Sequence, residues 1–308
     1  MEELVDLEGL NEKLHDAISN RQASVLREIF EVTPAIDIAE AMEEVDKVED
    51  FIYIFRVVPA EYTSDFFAEL TDDQQELIIK SLSDKELIKL LENSFSDDIA
   101  DALDDMPANL ISRVLKVAPS DIRKDINQLL KYKDNTAGSL MQTEYIDMRN
   151  TTTVEDAIKM VRKIGKDVET VYTIFVKDSK RTLIGTVKLD DLLFAENDET
   201  LENIMDRDFV TCNVNDDQED VANAFKRYDL TSMAVVNNEN KILGIITVDD
   251  VVDVLVDEAT EDIAHLGQVS SMETPYLKTP VFKIVLKCLQ SKAKQGRPCP
   301  IIYLICRK

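Results

Sequence analysis

The sequence is poor in the residues and motifs on which enzymes most often rely. Histidine occurs only at His15 and His265, so a histidine-based catalytic dyad has little to draw on. The motifs GxGxxG, GxxxxGK[ST], HExxH and GxSxG, which mark nucleotide, metal and nucleophile sites, are all absent. The sequence therefore predicts a protein that is not an enzyme.

Cysteine and long apolar runs are scarce as well. No two of the four cysteines form a CxxC pair, which is typical of a chain in a reducing cytosol; they are Cys212, Cys288, Cys299 and Cys306. The acidic N-terminus lacks the apolar core of a signal peptide. No run of about 18 apolar residues is present, and we therefore expect this chain to be soluble.

Basic residues are outnumbered by acidic ones. The chain has 61 Asp and Glu against 35 Lys and Arg, a net charge of -26. A surface this negative repels phosphate backbones, so nucleic acid is not an expected partner, whereas cations and basic partners are attracted. Because acidity can also serve solubility alone, the places where the acids cluster matter more than their number.

The N-terminal two-fifths of the chain is typical of consecutive short helices. Apolar residues recur at helical spacing between Asn11 and Tyr132, and Ser83 with Glu86 has the form of a capping box. A start signal, acids and an apolar helix recur together as PAIDIAEAM, TDDQQELII, SDKELIKLL, SDDIADAL and PSDIRKDI. We expect a helical stack that occupies residues 1–133.

Two similar segments follow between Met141 and about Gly267. Each is predicted to contain a strand, a capped helix, two more strands and a second helix. Met141 and Met205 are 64 residues apart but Gly185 and Gly244 only 59, so the first copy carries five extra residues, around positions 164–169. The predicted fold class is an all-α domain followed by two α/β modules, at residues 134–203 and 204–267.

The last segment, residues 268–308, reverses the charge balance. Eight basic residues there accompany one acid, Glu273. Such a segment is compatible with a place beside a membrane surface and equally with an unstructured end.

A repeated motif, Gly-x-x-[Thr/Lys]-x-x-Asp, is the most specific local pattern. It occurs once in each copy, at Gly185, Lys188 and Asp191 and at Gly244, Thr247 and Asp250. A strand is predicted to end at the Lys or Thr, and the Asp falls in the first turn of the next helix. Amides at that helix start suit a phosphate and the carboxylate suits a ribose, but the Asp can equally be a helix cap.

Two acidic runs stand out on predicted helices. Asp97 and Asp101 are four residues apart in SFSDDIADALDDM, and Asp250, Asp253 and Asp257 follow helical spacing in TVDDVVDVLVDEATEDIAH. Like charges at this spacing cost a helix about 0.2–0.5 kcal/mol per pair, which a solvated face tolerates. Such carboxylates also suit Mg²⁺ or Ca²⁺. Without an EF-hand loop, a cation shared between two acidic surfaces fits the pattern better than a self-contained site.

The two modules resemble CBS domains through GTVKLDD and GIITVDD. Together with DNTAGSLMQTEY, ETVYTIFV, EATEDIAHLG and TPYLKT, the order of regions from about Asn11 to Lys283 resembles the cytosolic part of the MgtE family of magnesium transporters. This resemblance implies a helical N domain, a CBS pair, a connecting helix and then a transmembrane pore domain. It also implies a homodimer in which Mg²⁺ bound between cytosolic domains locks the pore closed.

The resemblance implies a set of metal-binding residues. On the helical domain it points to Asp65, Asp97 and Asp101, although the family often has a longer acid at the position of Asp65. On the second module and the connecting helix it points to Glu219, Asp229, Asp250, Asp253, Glu258, Glu261 and Asp262.

Adenine-nucleotide binding is a second function of CBS pairs, and this sequence matches the pattern only in part. Thr247 and Asp250 fit it in the second copy. In the first, Lys188 replaces the usual small hydroxyl residue, and Asp190 beside Asp191 would repel a phosphate.

The resemblance ends after TPYLKTPVFKIVL, where the family continues into long hydrophobic spans. We expect that the chain stops before the pore, that it cannot conduct Mg²⁺ by itself, and that the full-length protein places it at the cytoplasmic face of the membrane. Expected partners are a second copy, through Val221, Ala224 and Phe225, and the pore domain. A nucleotide-binding energy sensor and a protein-interaction adaptor are the alternative functions.

Overall fold

The computed structural model describes residues 7–43, 45, 47–104 and 106–266, without the side chains of Glu8, Asp257 and residues 261–266. The predicted basic segment 268–308 therefore lies outside the described residues. Within the described residues, contacts divide the chain into two compact units, one of residues 7–215 and 234–245 and the other of residues 216–233 and 246–266.

Ten helices occupy the N-terminal region, and from the second to the tenth a new helix begins every 12 or 13 residues. Their bounds are α1 Leu7–Ser19, α2 Ala23–Val32, α3 Ala35–Ala41, α4 Val48–Val57, α5 Ala60–Ala68, α6 Asp72–Ser81, α7 Asp84–Leu91, α8 Ser96–Asp104, α9 Ala108–Val117 and α10 Ser120–Leu129. The recurring unit predicted from the sequence, a start signal followed by one apolar helix, therefore has a period of 12 or 13 residues.

The start signals work as the sequence predicts. Proline precedes the first residue of α3, α5, α9 and α10 in an extended conformation, where its missing N–H and fixed φ cost nothing. The predicted capping box is confirmed, because Ser83 accepts a hydrogen bond from the Glu86 amide and the Glu86 side chain accepts one from the Ser83 amide. Local signals thus mark the starts of α3, α5, α7, α9 and α10.

The helices stack around a single hydrophobic core. Alternate helices contact one another, α1 with α3, α3 with α5, α5 with α7 and α7 with α9, and likewise α2 with α4 and α4 with α6. Phe51, Phe66 and Phe67 are fully buried, and the Phe30 ring packs edge-on against Phe66 at 5.2 Å between centroids. A stack of this kind buries each repeat against its neighbours.

Each α/β module has the same order of elements. The first contains β1 Asp147–Arg149, α11 Val154–Ile164, β2 Thr173–Lys177, β3 Leu183–Lys188 and α12 Leu189–Phe194; α13 Leu201–Ile204 follows. The second contains β4 Thr211–Asn213, α14 Gln218–Tyr228, β5 Ser232–Val236, β6 Ile242–Thr247 and α15 Val248–Leu266.

The two sheets confirm the predicted internal repeat. Their strand orders are β1-β2-β3 and β4-β5-β6, and the first pair of strands in each is parallel. Helices α11 and α14 both have 11 residues. Eight residues join α11 to β2 but three join α14 to β5, which accounts for the five extra residues of the first copy.

The segment that leads into each module pairs with the third strand of the other module. Gln142 bridges Ile245 of β6, and Asp206 bridges Thr186 of β3, each in antiparallel fashion. Both bridges carry two backbone hydrogen bonds of 2.7–3.0 Å. The pairing of Gln142 with Ile245 explains why residues 234–245 group with the first unit. The division into units therefore does not follow the predicted domain boundaries, and those boundaries stay predictions.

The expected dimer contacts at Val221 and Phe225 are wrong. Both side chains are at most 3% exposed within the chain itself, in the core of the second unit, so they offer no surface to a partner. Ala224 is half-buried. The apolar residues of this amphipathic helix lie on its buried face, and α14 contacts α15.

Candidate functional site

Asp97 and Asp101 lie on α8, the helix that the acidic run predicts. They differ in environment, since Asp97 in the first turn is 9% exposed whereas Asp101 one turn later is exposed. Asp97 is therefore placed where the helix dipole favours a negative charge, and Asp101 is the residue of the two that faces solvent.

A carboxylate that the sequence analysis did not single out reaches the start of α8. The side chain of Glu144, which precedes β1, accepts hydrogen bonds from the Ser96 hydroxyl at 2.6 Å and the Ser96 amide at 3.2 Å. Glu144 lies in the MQTEY segment that carries part of the family resemblance, but no spacing rule connects it with a helix 48 residues earlier.

Asp250 lies at the start of α15 and caps that helix. Its carboxylate accepts hydrogen bonds from the Thr247 hydroxyl at 2.7 Å and the Thr247 amide at 3.3 Å. Thr247 is buried at the end of β6. Of the two interpretations left open for the motif, capping is the one for which the second module shows contacts.

Asp191, at the same motif position in the first module, is in a different environment. It is exposed, and Lys188 at the start of α12 makes no side-chain capping bond. The two copies of the motif are therefore not equivalent as sites.

Burial, together with the nearby charges of Asp249 and Asp253, raises the pKa of Asp250 to about 6, while the bonds from Thr247 act in the opposite direction. A carboxyl group whose pKa is higher in the folded than in the unfolded protein holds its proton longer when folded. Its ionisation therefore costs stability as pH rises from about 4 to about 6.

We expect Asp250→Asn to weaken this pH dependence. At pH 8 the variant should be more stable than the parent by about 1–3 kcal/mol, because no charge is buried, and the difference should disappear below pH 4. Urea denaturation at pH 4, 6 and 8 measures the effect. Asp253→Asn, at an exposed position of the same helix, is the control and should change little; a parent whose stability does not fall over this range would contradict the expectation.

The remaining acids of the second module are spread over two helices. Asp253 is exposed on α15, and the half-buried Glu258 accepts a hydrogen bond of 2.9 Å from Gln218 of α14. Glu261 and Asp262 lie on α15, but their side chains are outside the described residues.

Glu219 and Asp229 stand at opposite ends of α14. Both are exposed. The separation of ten positions corresponds to a rise of roughly 15 Å along the helix axis, so a single chain does not bring the two carboxylates to a common ion. Asp229 has φ 50 and ψ 48 and ends the helix in the left-handed conformation, which Asp tolerates better than most residues.

Asp65 lies on the solvent-facing side of α5. Partial burial of its carboxyl group raises its pKa, and the Glu61 charge one turn earlier adds to the shift. Among the side chains that the structure describes, no three His, Cys, Asp or Glu groups come together closely enough to hold a metal ion. Of the predicted metal residues, one lies on α5, two on α8, two at the ends of α14 and five on α15.

The comparisons with known families agree with this arrangement. A family model described as the MgtE intracellular N domain matches residues 33–135, within the helical stack. A model of the CBS domain matches residues 201–257, most of the second module.

Three of the curated relatives are magnesium transporters. The magnesium transporter MgtE of Thermus thermophilus is 33% identical over 273 residues, which are 87% of this chain and 60% of that protein. The MgtE of Enterococcus faecalis is 36% identical over 48% of this chain and 33% of its own length. The chain therefore spans about half the length of the relatives it matches. In the part that the structure describes, no helix has both the length and the apolarity of a membrane span.

Two solved structures have the same fold. The soluble part of a magnesium transporter superposes with a TM-score of 0.76 at 26% identity, covering 82% of this chain and all of that one. The cytosolic domain of the Mg²⁺ channel MgtE, crystallised with ATP, gives 0.73 at 31% identity and covers 79% and 99%. The chain belongs to the MgtE family, and its residues fold as that family's helical N domain followed by a pair of CBS domains.

Proposed function

We propose that this chain is a regulatory, non-enzymatic region that senses Mg²⁺ and gates a magnesium transporter. The observation that carries the proposal is the continuous match, through the helical domain and both modules, to the cytosolic domain of a Mg²⁺ channel. We further propose the domain bounds 1–133, 134–203 and 204–267, and a pore domain as the partner at the cytoplasmic face of a membrane.

The proposed sensor consists of acids on two sets of helices. Asp97 and Asp101 of α8, with Asp65 of α5, form one set. The other comprises Glu219, Asp229, Asp250, Asp253, Glu258, Glu261 and Asp262. Without cation the like charges repel, and a hydrated Mg²⁺ that binds both sets shifts the protein towards a compact state.

Mg²⁺ should raise the melting temperature at millimolar concentration, with Ca²⁺ and Mn²⁺ acting less strongly. A ligand of the folded state stabilises it by about 2.7 kcal/mol per site at a hundredfold excess over Kd. Differential scanning calorimetry with NaCl at matched ionic strength is the comparison, because screening by Na⁺ is not bridging. Equal stabilisation by Na⁺ would show that the acids are only a solvated face.

Adenine-nucleotide binding is the second candidate function, and the crystallisation of a relative's cytosolic domain with ATP favours it. In this chain Thr247 and Asp250 are the residues we propose for it, with Asp191 at the weaker copy of the motif. Calorimetric titration with ATP, repeated on Thr247→Val, separates this function from Mg²⁺ sensing, since loss of ATP binding with intact Mg²⁺ stabilisation would assign the motif to the nucleotide.

We also propose a homodimer, held by apolar surface of the CBS modules. Leu193 and Phe194 at the end of α12 are 60% and 89% exposed, and Val252, at the position in the second module that corresponds to Leu193, is 51% exposed. Exposed apolar side chains at matching positions of both modules suit a symmetric interface.

Leu193→Glu combined with Phe194→Glu should convert the dimer into a monomer at micromolar concentration, because two charges would have to be buried in the interface. Sedimentation velocity measures the outcome, with Val32→Glu, at a 74% exposed position of α2, as the control. A parent protein that is already monomeric would contradict the proposal.

A further inference from the structure

The carboxylate of Glu144 joins the helical region to the start of the first module. One oxygen, Oε1, accepts both hydrogen bonds from Ser96, the first residue of α8. The other, Oε2, accepts bonds from the Thr143 hydroxyl at 2.9 Å and the Thr143 amide at 3.2 Å. Ser96 is 1% exposed and Glu144 is half-buried, so this contact is partly shielded from water.

The backbone that carries Glu144 is fixed on both sides. Gln142 exchanges two hydrogen bonds with Ile245 of β6, and the carbonyl of Glu144 accepts a bond of 2.9 Å from the Glu169 amide. The carboxylate is therefore presented to α8 from an ordered segment, and little conformational entropy is lost when it docks.

Charge both favours and opposes the contact. The amide end of α8 and the Ser96 hydroxyl provide donors to a carboxylate, and such charge-assisted bonds are stronger than neutral ones. Asp97 and Asp98 in the same turn are negative. On α10, burial raises the pKa of Asp125, and the Glu144 charge adds to that shift. The hydrogen bonds from Ser96 therefore hold the Glu144 carboxylate in place although other acidic side chains lie nearby.

We propose that Glu144 is a latch that fastens α8, and with it the helical domain, to the first CBS module without a cation. Glu144 is then a positioning residue for Asp97 and Asp101, which follow Ser96 on the same helix. The positioning role rests on the proposed Mg²⁺ function, whereas the latch itself does not.

The latch predicts a difference that is measurable without Mg²⁺. In the full chain, Glu144→Gln keeps the shape of the side chain but removes the charge from the bonds to Ser96. Hydrogen exchange of a peptide that covers residues 94–101, in EDTA, should become about tenfold faster. Glu92→Gln, an exposed acid at the end of α7, is the charge-matched control and should leave this exchange unchanged.

A second variant guards against general loss of structure. Ser96→Ala removes the hydroxyl donor but keeps the amide and the Glu144 charge, so hydrogen exchange of residues 94–101 should become about threefold faster. The double variant, Ser96→Ala with Glu144→Gln, should exchange no faster than Glu144→Gln alone, because both substitutions remove the same contact. Unchanged exchange in both variants, with circular dichroism showing intact helices, would overturn the latch.

A titration with MgCl₂ tests the positioning role. The Mg²⁺ concentration at half-maximal stabilisation should rise about tenfold in Glu144→Gln and stay unchanged in Glu92→Gln, because the acids of α8 are no longer held in place. Faster exchange with an unchanged midpoint would overturn the positioning role. If the parent does not respond to Mg²⁺ at all, the proposed sensing function fails, and the measurement in EDTA still decides the latch.

Discussion

Replacing Asp97 and Asp101 together by Asn is expected to remove most of the Mg²⁺-dependent rise in melting temperature. The two substitutions keep side-chain size but delete the negative charges that α8 contributes to the proposed sensor. Since hard cations need carboxylate oxygens, the apparent Mg²⁺ affinity should fall about tenfold or more. Without cation the variant should be more stable by about 0.2–0.5 kcal/mol, because like charges four residues apart on a helix repel.

A matched control exists on α6, two helices before α8. Asp72 and Asp73 are the first two residues of α6, as Ser96 and Asp97 are of α8. Asp72 and Asp73 are both exposed, and replacing both by Asn removes two negative charges from the same domain, as the Asp97 and Asp101 substitutions do. This control should leave the Mg²⁺ response intact, as measured by calorimetry and by small-angle scattering with and without MgCl₂. An equal loss in the control would show that net charge, not the position of the acids, governs the response.

Combining these changes with Asp250→Asn tests whether both helices act on one ion. Asp250→Asn alone should also weaken the Mg²⁺ response. If the residues share a cation, the triple variant should lose less than the sum of the separate losses. Additive losses would instead indicate two independent sites.

Gly244→Ala is expected to destabilise the protein by about 2–4 kcal/mol, because no room exists for a methyl group there. A Cβ on Gly244 would lie 2.6 Å from the carbonyl oxygen of Gln142 and 2.9 Å from the Met141 side chain. The backbone oxygen belongs to the bridge with Ile245 and cannot move without breaking that pairing.

The first module provides an internal replicate of this prediction. A Cβ on Gly185 would lie 2.7 Å from the sulfur of Met205 and 2.8 Å from the carbonyl oxygen of Asp206, so Gly185→Ala should cost a similar amount. Lys188→Ala, at the exposed end of β3, is the control and should be nearly neutral. Urea denaturation measures all three variants, and two neutral glycine variants would contradict the close approach.

The glycines illustrate how far a motif can be interpreted from sequence alone. The pattern Gly-x-x-[Thr/Lys]-x-x-Asp left a ligand site and a helix cap as open interpretations, and its Asp in the second module accepts hydrogen bonds from Thr247 at the start of α15. Gly244 of the motif has no Cβ and so leaves room for Met141 and Gln142, in the segment that leads into the first module. The cap is a local contact, but the role of Gly244 depends on the pairing of Gln142 with Ile245, residues about a hundred positions apart, and no local pattern reports that pairing.

Local signals were sufficient for most of the fold. Proline, Thr and Ser before the helices, the Ser83–Glu86 capping box and the buried apolar residues at helical spacing predicted the helical stack, because these features act within one or two turns of chain. The internal repeat predicted two modules of equal topology, including the five residues inserted after α11.

The sequence by itself thus determined which segments become helices and strands, where the acids fall along them, and to which family the motifs belong. Only the tertiary structure decided which of those acids are buried, as Asp97 and Asp250 are in part, and that Val221 and Phe225 face their own core. It alone identified Glu144 as the partner of Ser96. The physical reason is that capping and periodicity are set by neighbours in the chain, whereas burial and charge pairing depend on packing between residues that the sequence keeps far apart.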